Sequence, residues 1–144
     1  MTDLIALYRI AEANGIKVRA FDLGGDEAVS FKRKGKDIIV IDPNDIKSTA
    51  DEKIKVGHEL GHCITESFYT DRSPECVKRK CENKANKWAI EQVVPLGKLN
   101  DAVQQGHTEI WDLAEYFNVT EDFMRMAVCW YLYGTLETDN YFAS

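Results

Sequence analysis

Apolar residues at Leu4, Leu7, Tyr8 and Ala11 recur at helical spacing, which predicts a helix over residues 4–14. Thr2 or Asp3 stands where a cap belongs, and Gly15 follows the end. Three strand-like runs come next, over 17–23, 27–31 and 37–41. Gly24-Gly25 and Lys34-Gly35 separate them, a pattern that predicts a meander of hairpins. Ile38, Ile39, Val40 and Ile41 form a continuous apolar run, as in a well-buried strand. Beyond Ser48 the periodicity is helical almost to the end. Ser48 or Thr49 with Glu52 reads as a capping box for a helix to about residue 65. A loop over 68–74 precedes a long helix over 75–94, closed by Pro95-Leu96-Gly97. A short helix over 98–105 and a helical pair over 108–117 and 120–133 follow.

This order makes the fold α+β: an N-terminal helix, a small three-stranded antiparallel or mixed sheet, then a mostly helical part. At 144 residues the chain is expected to be one domain with a core of its own, and 44% hydrophobic residues are enough to fill it. The net charge of -6 speaks against nucleic acid or an anionic membrane as the main partner, since phosphate is met by basic surfaces. The basic run Lys32-Arg33-Lys34-Gly35-Lys36 is read as a solvated hairpin tip. No basic stretch followed by an apolar one opens the chain, and no apolar run would span a bilayer, so a cytoplasmic protein is expected. Cys63, Cys76, Cys81 and Cys129 form no C-x-x-C pair and are read as free thiols.

Chemistry concentrates in Val56-Gly57-His58-Glu59-Leu60-Gly61-His62-Cys63. His58 and His62 are one helical turn apart, so both imidazoles can face one cation. Glu59, beside that axis, can take a proton from a water at the metal without being a ligand. A catalytic zinc takes three protein ligands and keeps one position open. Glu66, eight residues beyond His58, lies about 12 Å along the axis and is too far to join. The next helix offers Glu75, Cys76, Cys81 and Glu82. Glu82 is the best candidate because Ala85, Asn86, Ala89 and Val93 continue its face with small side chains that allow close helix approach; Cys81 is the runner-up. Asn86, one turn on, is a candidate to orient Glu82 or a histidine.

His58-Glu59-Leu60-Gly61-His62, then Glu82-Asn83-Lys84-Ala85-Asn86-Lys87-Trp88-Ala89 and Val93-Val94-Pro95, resembles the ImmA/IrrE family of metallopeptidases. In that family an H-E-L-G-H helix is followed by an E-x-x-A-N-x-F-A helix ending near a proline; Trp88 replaces the phenylalanine. The resemblance implies a zincin-like core in which His58, His62 and Glu82 hold Zn2+ and Glu59 is the general base. It also implies a protein substrate, often a helix-turn-helix repressor encoded on a prophage or mobile element. On this reading residues 1–97 form the catalytic core, 98–134 a C-terminal helical part and 135–144 a tail.

Oxyanion stabilisation is less legible. The metal alone could serve, or a donor: His107 is the remaining histidine, although a loop histidine after Gly106 is more simply a surface residue, and Tyr69 and Tyr116 have no more support. Residues 113–126 resemble a helix-turn-helix, but Glu121, Asp122 and a single Arg125 do not suit a DNA-reading helix. The pair is read as scaffold, with Trp111, Phe117, Phe123 and Trp130 in the core. The rival to an endopeptidase is a metal-binding regulatory module that does not cleave; a DNA-binding regulator is the weaker rival.

Overall fold

The computed structural model describes residues 3–25 and 28–139. Helix α1 (Leu4–Ala13) starts on Asp3, whose side chain accepts a hydrogen bond from the Ala6 amide; the alternative cap, Thr2, lies outside the described residues. Leu7 and Ala11 face inward, and Gly15, at φ +68°, turns the chain into the sheet. The strands are β1 (Lys17–Ala20), β2 (Ala28–Arg33) and β3 (Lys36–Ile41). Glu27, at the expected start of the second strand, is outside the described residues.

The expected meander is corrected. The strand order is β1-β3-β2, with β3 central, antiparallel to β2 and parallel to β1. A meander would put β2 in the middle. The apolar run of β3 explains the difference, because a strand with Ile39 and Ile41 buried belongs at the centre, where both edges are paired. The β2–β3 hairpin itself is as expected: Lys34 (φ 51°) and Gly35 (φ 75°) make a tight turn with both central residues left-handed. Its basic tip is exposed, and Lys32 pairs with Asp37 at 3.1 Å across the hairpin.

Helix α2 (Thr49–Ile64) is capped by the Ser48 hydroxyl, which accepts from the Asp51 amide. Helix α3 (Glu75–Val93) packs along it, and α4 (Leu96–Gln104) starts directly after Pro95. The Pro95-Leu96-Gly97 segment therefore opens a helix as well as closing one, since a fixed proline φ suits the start of a helix. Helices α5 (Ile110–Phe117) and α6 (Glu121–Tyr133) follow, joined through the left-handed Asn118. The core gathers Leu7, Ile39, Val56, Leu60, Ile90, Val93, Phe117 and Met124 from helices and sheet alike. Trp111 does not belong to it, being 60% exposed, and Trp130 is only partly buried. Lys53, buried at 2% exposure, donates at 2.6 Å to the carbonyl of Phe117 at the end of α5. A cation suits that helix end, whose last carbonyls lack partners. Among the described residues no helix is long and apolar enough to cross a membrane.

Candidate metal centre

Two helices build the site because they approach almost to contact. A side chain on Gly61 would put a Cβ 2.5 Å from the Ala85 carbonyl oxygen and 2.8 Å from its Cα. Gly57, one turn earlier, faces Ala89 and Val93. Small residues on both helices thus bring Glu82 of α3 to His58 and His62 of α2. His58 Nε2 lies 2.7 Å from Glu82 Oε2, and His62 Nε2 lies 3.1 Å from the same oxygen. The two Nε2 atoms are 3.1 Å apart.

The other ring nitrogens fix the tautomers. His62 Nδ1 donates to the Ser67 carbonyl at 2.7 Å, and His58 Nδ1 to Asn86 Oδ1 at 2.8 Å. A carbonyl can only accept, so each neutral ring turns a bare Nε2 lone pair inward. Two lone pairs and a carboxylate oxygen then converge on one point, an arrangement that repels itself until a cation sits among them. The donor set, two imidazoles and a carboxylate, is one that suits a divalent transition metal, and these three residues could hold one. Without a cation, a proton added at Nε2 would relieve the same repulsion by bonding to Glu82, and the proton affinities follow from that. Burial would lower the His58 pKa, but hydrogen bonding to Glu82 and the nearby carboxylates raise it above the ordinary value. Burial would likewise raise Glu82, but hydrogen bonds from both imidazoles and Tyr69 hold it well below the usual carboxylate range.

Glu59 lies beside this triad and is 6% exposed. Its Oε1 accepts from Ser30 Oγ of β2 at 3.3 Å, while Oε2 is buried with no hydrogen-bond partner. Burial pushes its pKa up, and the neighbouring His58 and His62 counteract this in part. An open cleft of about 480 Å³ surrounds these groups; β2 supplies Ala28, Val29 and Ser30 to its wall, and α6 supplies Phe123 and Met126.

Of the residues expected from sequence, His58, Glu59, His62, Glu82 and Asn86 all meet in this cleft. Cys81 points elsewhere, with its Sγ 3.7 Å from the Phe68 carbonyl. Glu66 sits at an exposed turn beyond α2. His107 is not among the residues lining the cleft; its Nδ1 pairs with Asp112 at 2.8 Å and its ring packs on Tyr116. Sequence reasoning missed Ser30 and Ser67, and it gave Tyr69, named only as an unsupported oxyanion donor, no role at Glu82. Tyr69 donates to Glu82 Oε1, and that bond pushes its own pKa up to about 12. No local pattern marks these three, because each acts on a residue from another element or across a turn.

A search of the curated proteins returns no match. The family model described as the IrrE N-terminal-like domain, a peptidase family, matches residues 11–128, most of the chain and all of the site above.

Proposed function

This chain belongs to the IrrE N-terminal-like peptidase family, also the ImmA/IrrE family, and on that premise we propose that it is a zinc-dependent endopeptidase acting on a regulatory protein. The observation that carries the reading is the convergence of His58, His62 and Glu82 beside an unpartnered Glu59 oxygen in an open cleft. His58, His62 and Glu82 would hold the ion. Bound there, zinc would supply Lewis acidity toward water and the scissile carbonyl.

The chain's own residues do the rest. Glu59 Oε2, which no protein group occupies, takes the proton of the attacking water, while Ser30 holds the other oxygen. Burial keeps this carboxylate a better base than an exposed one. The same proton then goes to the leaving amine. Asn86 and the Ser67 carbonyl keep the imidazoles in the ligating tautomer. β2 is paired on one side by β3 and lines the cleft, which supports binding of an extended substrate by strand addition. The family resemblance supports a helix-turn-helix repressor from a prophage or mobile element as substrate. The free thiols at Cys63, Cys76, Cys81 and Cys129 support a cytoplasmic setting. We take residues 1–144 as one metallopeptidase domain. Its catalytic part extends beyond 1–97, because Phe123 and Met126 of the 98–134 part reach the cleft.

The test is metal content together with cleavage of a candidate helix-turn-helix repressor by the wild type and by Glu59→Gln. About one zinc per chain is expected in both, with cleavage lowered at least ~100-fold in the variant. Wild-type protein that holds zinc and cleaves no such repressor would favour a metal-binding regulatory module. An unchanged rate in the variant would move the base elsewhere.

A further inference from the structure

The segment after α2 touches both halves of the metal centre. Thr65 ends the helix with its amide and hydroxyl both on the Gly61 carbonyl, the hydroxyl at 2.7 Å. Glu66 then takes a left-handed conformation (φ 52°), unusual for a residue with a side chain. This reversal brings the Ser67 amide to the His62 carbonyl at 2.9 Å and the Ser67 carbonyl to His62 Nδ1. Two residues later the chain crosses to α3, where the Tyr69 hydroxyl donates to Glu82 Oε1. One short turn therefore holds one candidate ligand on each helix.

The division of the Glu82 carboxylate is the informative part. Oε2 faces both imidazoles, and Oε1 faces only the phenol. Glu82 is partly exposed and carries three rotatable bonds, so nothing in its own backbone dictates which oxygen turns inward. A phenolic hydroxyl supplies one proton in a fixed direction, and the Tyr69 ring is itself braced edge-on against His62 at 6.1 Å.

We propose that Tyr69 is a positioning residue of the metal centre: by occupying Oε1 it makes Glu82 present Oε2 alone to the ion, and the 65–69 turn couples that setting to His62. The inference rests on the metal-centre reading above. It predicts that the hydroxyl matters to metal affinity and coordination while contributing little to folding.

The test uses the whole chain and its Tyr69→Phe variant. Zinc affinity is read by competition with a chromophoric chelator, unfolding temperature is read without metal, and the visible spectrum is read after loading cobalt(II). Tyr69→Phe is expected to weaken zinc by about 10–100-fold, the usual effect of losing a group that orients a ligand. It is expected to change the intensity of the cobalt bands and to leave the metal-free unfolding temperature unchanged. Tyr131→Phe is the comparison, because that hydroxyl donates to the Val94 carbonyl at 2.8 Å outside the cleft; it is expected to leave zinc affinity alone. Unchanged affinity and spectrum in Tyr69→Phe would overturn the proposal. So would a metal-free unfolding temperature lowered as much as that of the zinc-bound protein, which would make Tyr69 a structural residue. A wild type that takes up no zinc would remove the metal-centre reading itself, an outcome distinct from failure of the Tyr69 variant alone.

Discussion

Gly61 and Ala85 bring α2 and α3 so close that a single methyl group has no room between them: it would meet the Ala85 carbonyl oxygen at 2.5 Å. The obstacle is backbone, so it cannot rotate away. Gly61→Ala should therefore push α3 outward, lowering stability by about 1–3 kcal/mol, as overpacked cores do. Because Glu82 rides on α3, zinc affinity should fall as well. Chemical unfolding and chelator competition on the same preparation check both; a variant with native stability would mean the helices have slack.

Glu82→Ala and Cys81→Ala separate the two third-ligand candidates. Glu82 shares one oxygen between both imidazoles, while the Cys81 thiol points at the Phe68 carbonyl. Loss of Glu82 should cost zinc affinity at least ~100-fold, more than removal of an orienting group. Loss of Cys81 should leave it unchanged. Metal stripped by the cysteine change and retained after the glutamate change would reverse the assignment.

Lys53 gives a pH-dependent stability. Burial lowers its pKa from 10.5, with Asp3 opposing in part. Between the folded and unfolded values the unfolded chain holds the proton and the folded chain does not, so this residue makes stability rise with pH across that window and removes it as pH falls. Lys53→Met has no such dependence. Its stability relative to wild type should be highest near neutral pH and decline as pH approaches 10.5, each tenfold displacement of the proton equilibrium being worth about 1.4 kcal/mol. Denaturant midpoints of both proteins from pH 7 to 10.5 measure this, and parallel curves would show that the buried ammonium is not penalised.

The C-terminal pair is expected to serve as scaffold and cleft wall without binding DNA. Arg125, the basic residue of α6, is held by Asp122 at 2.8 Å and Glu121 at 3.7 Å, leaving an acidic face toward solvent. Trp130 is partly buried, with the Lys87 ammonium 4.7 Å from its ring centre. Trp130→Ala should cost about 2 kcal/mol, below the ~3–5 kcal/mol of a fully buried ring. Thermal unfolding of the variant and salt-dependent DNA binding of the wild type test the two halves. An affinity falling steeply with salt, beside an unchanged melting temperature, would restore a DNA-binding reading.

The sequence by itself determined what is local. The i, i+4 histidines share a helix face through helical geometry alone, and Glu59 follows from the same turn. The Ser48 cap and the spans of α1, α2 and α3 follow from side chains within a few residues of each backbone group they satisfy. The run Ile38, Ile39, Val40, Ile41 even carried the signal that β3 is central, although hairpin spacing pointed to a meander. Tertiary structure decided everything that joins distant segments. The choice of Glu82 over Cys81, adjacent in sequence, depends on the rotation of α3 about its axis, which the Gly61–Ala85 contact sets. Ser67, Tyr69 and Ser30 became part of the site only when a turn and a strand were laid against the helices. Phe123 and Met126, expected from their spacing to face the core, also meet the cleft, because a helix stripe states which face is covered and not what covers it.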